Sequence, residues 1–213
     1  MTSRGAFEKN VRPADGLPPK KALRPFLDEL RGIFEKMDQS YRETASRYGF
    51  ECRGCEKSCC LTKFYHHTFL ELFYLREGFL TLAASERARI AASAGSISVA
   101  DAKPKQSHET IRVMCPLNEN RRCRLYAHRP MICRLHGIPH ILHHPVKGMI
   151  TGPGCHTFEA TCGGENTLKL DRTPFYASLA DLEKRLRRTL NLSGKIRMTV
   201  ADMIARFQGV LES

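Results

Sequence analysis

Four cysteines stand within nine residues, in Cys52-Arg-Gly-Cys55-Glu-Lys-Ser-Cys59-Cys60, the last two adjacent. A hydrophobic core has no use for thiols at that density. A metal ion or an iron–sulfur cluster does, because several soft thiolates must converge on one electron-poor centre. Cys115, Cys123 and Cys133 follow, and Cys155 and Cys162 trail behind, making nine. The chain is therefore expected to fold around metal, with its loops drawn from remote stretches to common coordination shells. An odd count fits a disulfide framework poorly. Met1–Lys21 is polar and basic and lacks the apolar run of a secretory signal, so the expected compartment is the reducing cytoplasm.

The spacings say how the sulfurs can be used. A C-x2-C pair such as Cys52 and Cys55 is the shortest arrangement in which one turn presents two sulfurs to one metal. Cys59 and Cys60 pose the opposite problem, since neighbouring side chains diverge and a shared tetrahedral ion would close a strained ring. Assigning them to different metal atoms resolves it. Cys115, Cys123, Cys133 and Cys155 then complete the shell. Eight thiolates divide into two four-ligand centres, or four hold one [4Fe–4S] cluster and the others serve elsewhere; the spacing leaves the partition open. The order C-x2-C-x3-C is the reverse of the C-x3-C-x2-C of radical S-adenosylmethionine enzymes, and the bacterial ferredoxin pattern is absent.

Around the cysteines the expected fold class is mostly α: helices around a loop-rich, metal-organised centre with one or two short β-hairpins. Leu23, Phe26, Leu27, Leu30, Phe34, Met37, Tyr41, Ala45 and Tyr48 recur at three- and four-residue steps, the signature of a long amphipathic helix ended by Gly49. Thr68 and Glu71 form a capping box for a helix carrying Leu72, Phe73, Leu75, Phe79 and Leu80, weakened at Gly78. An alanine-rich helix over 85–94 precedes an exposed connection over 95–108. Segments 110–114 and 124–126 are expected to pair and bring Cys115 and Cys123 together. Pro130 starts a short helix bearing Cys133, and 138–151 holds a second hairpin turning at Lys147-Gly148. Gly152-Pro-Gly-Cys155 is a tight turn in which amides approach a sulfur. Thr173, with Pro174 behind it, caps a helix striped by Phe175, Leu179, Leu182, Leu186 and Leu190. Thr199 and Asp202 cap a last helix with Val200, Met203, Ile204, Phe207, Val210 and Leu211 inward. These elements divide into a flexible basic arm over 1–21, a cysteine-cluster domain over 22–165 and a helical pair over 166–213 packed on it.

The cluster from Cys52 to Cys60, then Cys115-Pro116-Leu117, then Cys123-x2-Tyr126-x2-Arg129-Pro130-x2-Cys133-Arg134, resembles the CxxCxxxCC cysteine-cluster family. That family is described as zinc- or iron-chelating, and its members are often labelled iron–sulfur oxidoreductases. The resemblance runs from Cys52 to Cys155, and segment 196–204 is similar to the tail of some members. It implies that Cys52, Cys55, Cys59, Cys60, Cys115, Cys123 and Cys133 are metal ligands, with Cys155 in Gly-Pro-Gly-Cys as an eighth. Where many members follow Cys-Arg with an aromatic and proline, this chain has Leu135-His136-Gly137-Ile138-Pro139-His140. A flagellin lysine methylase is similar in the cysteine region, which makes methyl transfer a further possibility, although no methyl-donor site is identifiable.

Other residues compete for roles. His136 and His140 are the best placed of four histidines after Cys133 to join a zinc or iron site, against the plainer reading of a surface loop holding His143 and His144 as well. His156 adjoins Cys155 and is a candidate ligand or sulfur donor. Arg129 and Arg134 flank Cys133 and are assigned to the cofactor, stabilising a thiolate-rich cluster by charge and hydrogen bonds. Tyr126 reads as a packed hairpin residue and Cys162 as a free thiol. The chain carries a formal charge of +12, which permits an acidic partner such as nucleic acid without demonstrating one. Its basic faces, Lys184-Arg185-Arg187-Arg188 and Arg121-Arg122-Arg124, read as solvated surface without the interleaved aromatics of a single-strand binder. No apolar run reaches the roughly 20 residues of a membrane helix, and no Ser–His–Asp signature, phosphate loop or dinucleotide fingerprint occurs.

The leading expectation is a cytoplasmic metal-binding protein, with an iron–sulfur cluster ([4Fe–4S] favoured) or zinc and iron ions. It would act in electron transfer or as an oxidoreductase accessory, with a redox or protein partner still unknown. The alternatives are a zinc-stabilised module that binds nucleic acid or protein, and a metal-dependent modifying enzyme such as a lysine methylase.

Overall fold

The computed structural model describes residues 18–52, 54, 59–102, 113–164 and 168–211. Most of the arm read over 1–21, the thiol of Cys55, the far end of the 95–108 connection and the start of the strand expected over 110–114 lie outside them. Among the described residues the chain is mostly α-helical, with seven α-helices and two small sheets in a loop-rich whole. The helices are α1 (Lys20–Arg47), α2 (Phe69–Leu80), α3 (Ala84–Ala102), α4 (Met131–Leu135), α5 (His156–Cys162), α6 (Thr173–Thr189) and α7 (Val200–Leu211). The strands are β1 (Asn118–Glu119), β2 (Arg122–Cys123), β3 (His140–His144), β4 (Gly148–Gly152) and β5 (Leu170–Asp171).

In α1 the apolar stripe becomes the inner wall: Leu23, Leu27, Leu30, Phe34, Met37 and Ala45 are buried. Gly49 closes it at φ 62°, a left-handed conformation that suits glycine at a helix exit. By contrast, α2 is buried almost all round, from Phe69 to Leu75 and again at Gly78 and Phe79. That makes it the central helix, and Gly78 is no weak point, because a Cβ there would collide with the His128 ring. The start of α2 is capped from elsewhere. The Thr68 hydroxyl accepts the Glu71 N–H (3.2 Å), as expected. The Glu71 carboxylate turns inward instead of closing the box, receiving the Thr68 hydroxyl (2.7 Å) and the Met131 N–H (3.1 Å). The amides of Phe69 and Leu70 are taken by the carboxylate of Glu183 on α6, at 3.0 and 3.1 Å. A buried carboxylate must find donors, and both acids find them at helix N-termini, where unpaired amides and the helix dipole favour negative charge.

α3 runs eight residues beyond the expected end, through Gly95, which faces open space. It lies along α7, with Ile90, Ala91 and Ala94 buried and the Ser98 hydroxyl on Asp202 at 2.6 Å. Asp202 and Thr199 also exchange the expected reciprocal cap at the start of α7, 2.9 and 3.2 Å. Val200, Met203, Ile204 and Phe207 pack inward as expected, while the side chains of Val210 and Leu211 lie outside the described set. In α6 the buried stripe is Leu179, Leu182 and Leu186. Thr173 is its first residue rather than its cap: Asp171 takes the Thr173 amide at 2.8 Å, and the Thr173 hydroxyl accepts the His143 amide of β3 at 2.9 Å.

Both hairpins exist, one displaced. β1 and β2 pair with Asn118 opposite Cys123, in the stretch between the two segments expected to pair and not within either. Asn120 and Arg121 at the turn both have positive φ (51° and 66°), the backbone of a tight two-residue turn, which draws the pairing close to the tip. Met114 and Tyr126 are consequently not strand residues, and Tyr126 is exposed in a 3-10 turn, not packed in a hairpin. β3 and β4 pair antiparallel, His140 opposite Gly152, and β5 joins β3 in parallel as a third strand that periodicity did not reveal.

Candidate metal centre

The centre is assembled from three connections between helices. The turn at 59–61 lies directly before the approach to α2, the β1–β2 hairpin precedes the 3-10 turn Tyr126–His128, and α4 follows it. Backbone bonds hold them together: Cys115 N–H donates to Cys60 O (2.9 Å) and Arg124 N–H to Leu117 O (2.8 Å). Gly54, at φ 83°, packs against the Arg121 backbone with no room for a side chain, so the first cysteine loop rests on the hairpin tip. From the frame, Glu71 fixes the first amide of α4, two residues before Cys133.

The sulfurs meet at Cys60, whose side chain hydrogen-bonds those of both Cys59 and Cys115. Cys123 and Cys133 lie in the electrostatic field of Cys60 and of one another, and Cys52 bears on Cys59. The hydrogen bond to Cys60, then burial, push the Cys59 and Cys115 thiols up, Cys115 well above the ordinary range. Burial lifts Cys123 to about 11 and Cys133 to about 12, with the other thiols adding. As thiolates these groups would repel one another in a poorly solvated place. Among the described residues no set of three Cys, His, Asp or Glu side chains stands ready to hold a metal ion, so the convergence is pairwise.

Two amides aim at the sulfurs. The Leu117 amide lies toward the Cys115 sulfur and the Leu125 amide toward that of Cys123, each favouring the thiolate. Both leucines are buried, at 2% and 4% exposure. The motif is Cys-x-Leu, and it recurs at Cys133-Arg-Leu135, whose leucine is fully buried too. A buried leucine two residues on anchors the turn that offers its amide to sulfur. The sequence carried this signal three times, and the spacing of the cysteines alone did not expose it.

Cys155 stands apart from this group. It is the N-cap of α5, and its sulfur accepts the Phe158 N–H at 3.4 Å, so the approaching amide comes from the helix behind it. Cys52 and Cys155 both bear on Tyr41, whose phenol is raised first by burial and then by these two thiols. Cys162 is a free thiol donating toward Tyr48 O at 3.5 Å. His156 is exposed.

Arg129 and Arg134 are the cations that ease ionisation of Cys123. Their hydrogen bonds go elsewhere. Arg134 is buried, with its guanidinium on Asp38 (2.6 Å), Arg129 O (2.8 Å) and Ala127 O, stacked 4.3 Å over Phe34. Arg129 donates to Tyr126 O (3.0 Å) and lies 3.5 Å over the Tyr126 ring. Both act on sulfur through charge, and Arg134 also bolts the 3-10 turn to α1. His136 and His140 lie along the turn after α4 and on β3. His136 packs on Phe64, and His144 serves the backbone of the β3–β4 hairpin by accepting two turn amides.

A half-buried group of thiols beside backbone amides and two arginines marks this region as a cysteine cluster suited to metal. Residues 51–144 match the family model CxxCxxCC, described as a "putative zinc- or iron-chelating domain". The family pattern has two residues where this chain has three between Cys55 and Cys59. No curated protein and no solved structure matches the chain. No helix of the described residues is long and apolar enough to cross a membrane.

Proposed function

We infer that the protein carries a polynuclear metal centre, an iron–sulfur cluster in the first instance, and passes electrons as a carrier or oxidoreductase accessory. The observation that supports this is the Cys60 sulfur, shared by Cys59 and Cys115 with Cys123 and Cys133 in its field. Cys60 and the four thiols within its field number five, more than one tetrahedral ion uses. The vicinal pair Cys59–Cys60 is accommodated when its sulfurs go to different metal atoms. The residues fit such a group: soft donors, amides directed at sulfur, and cations that offset the negative charge of a thiolate-ligated cluster.

Bound, the cluster would supply one-electron chemistry. The chain's own part is to hold the thiols in one place, to turn the Leu117 and Leu125 amides toward sulfur, and to limit water through the buried leucines. Amide–sulfur bonds and burial are the levers that set a cluster's potential. Anaerobic purification followed by visible spectroscopy, sulfide assay and elemental analysis tests the reading. Brown protein with acid-labile sulfide and iron is expected; colourless protein with one zinc per chain and no sulfide overturns it.

A further inference from the structure

Arg172 is 4% exposed and has no carboxylate partner among the described residues. It sits between β5 and α6, where one guanidinium nitrogen donates to Leu135 O and Nε is buried without a partner. The neighbouring acid, Asp171, is exposed and spends its carboxylate on Thr173. The groups within electrostatic reach of Arg172 are the phenols of Tyr41 and Tyr176 and the imidazoles of His136 and His140. The His140 Nδ1 is itself buried, with only the Ile138 backbone near it in a geometry short of a hydrogen bond. Gly137 keeps this side of the α4 turn open to Tyr41, since a Cβ there would come within 2.7 Å of the phenol oxygen.

An isolated buried cation is among the most costly arrangements in a fold unless a counter-charge completes it. Here the chain supplies two phenols and two imidazoles, polar but without negative charge at neutral pH. We propose that Arg172, with Tyr41, Tyr176, His136 and His140 around it, is a binding site for the carboxylate of a small organic acid. One negative charge balances one guanidinium, and the planar fork suits a carboxylate through its Nε edge. A doubly charged phosphate would need a second cation, which the surrounding groups do not provide. Tyr41 is within electrostatic reach of Arg172 and of Cys52 and Cys155. The site stands on Arg172 and its neighbours whichever metal the thiols hold.

Thermal unfolding of the purified full chain, as isolated, tests it, with acetate, inorganic phosphate and chloride compared at constant ionic strength. A ligand that binds only the folded state raises the transition temperature in proportion to its occupancy. Expected is a saturating rise with acetate, larger than with phosphate and absent with chloride. Arg172→Lys keeps the charge and loses the fork, and should weaken acetate by about tenfold or more. Arg172→Met should abolish the response. If Arg172→Met does not fold, His140→Gln and Tyr176→Phe must each weaken the acetate response. No acetate response in the wild type, an undiminished response in the folded variants, or a larger response to phosphate overturns the proposal. The metal content of the same samples is read separately, so loss of the metal reading leaves this result standing.

Discussion

Leu30, Phe34, Leu75 and Leu182 are sealed at 0–1% exposure on α1, α2 and α6, where burial of apolar surface alone accounts for the packing. Cys60, a short distance along the chain from α2, sits instead beside the Cys59 and Cys115 thiols, while Cys123 lies in the fields of Arg129 and Arg134. The helical frame has its stabilising term built in. The cysteine region has sulfur donors in place, and the leucines of its Cys-x-Leu turns, with Met131, belong to the same buried cluster as the helices. Frame and centre are also joined by polar contacts, among them Glu71 to Met131, Arg134 to Asp38 and Tyr74 to Ala127. One core thus carries both regions, and the sulfurs set the second apart.

That contrast can be broken first at Cys60→Ser. Metal affinity should fall by more than the roughly 10–100-fold that losing even an outer partner of a ligand costs. The helical circular dichroism should persist, because α1, α2, α3, α6 and α7 do not depend on this sulfur; a collapse of helicity would merge the two regions into one. Phe34→Ala attacks the frame. It removes a fully buried ring in edge contact with Tyr74, and chemical denaturation should show a loss of about 3–5 kcal/mol. Glu71→Ala strikes the joint. Thr68 and Met131 lose an acceptor, and a loss of about 1–3 kcal/mol is expected, together with weaker metal retention. Thr199→Ala touches only the cap of α7 and should cost about 1 kcal/mol with metal binding unchanged.

A pH dependence is expected from His140. Burial first, and the charge of Arg172 second, hold it at about 4 against an ordinary 6.5. The folded state favours the neutral ring, so its contribution is full above pH 6.5 and is lost as pH falls through about 4. His140→Gln should flatten the stability profile between those values. An unchanged profile would mean that the ring is solvated.

Most of the frame was legible from periodicity. α1, α6 and α7 carry apolar residues three and four apart, and burial follows the stripe. The end of α3 was not, because a run of alanine and serine has little amphipathic contrast and its length is set by α7 lying beside it. The inward turn of Glu71 and the reach of Glu183 to the α2 amides are long-range contacts that no local pattern encodes. For the centre, cysteine identity pointed to metal, but not to which sulfurs meet. Cys59, Cys60 and Cys115 come together, while Cys155 joins Tyr41 and α5. Arg172 was invisible, since a lone arginine before a helix looks like surface until the fold buries it.

Thiol alkylation followed by mass spectrometry, on anaerobically purified folded protein before and after chelation, addresses the central claim residue by residue. Cys162 should be modified at once in both samples. Cys59, Cys60, Cys115, Cys123 and Cys133 should resist modification until the chelator is added and then react together, with the helical signal intact. Equal reactivity of those five with and without chelator would show that no metal gathers them, and would contradict the account.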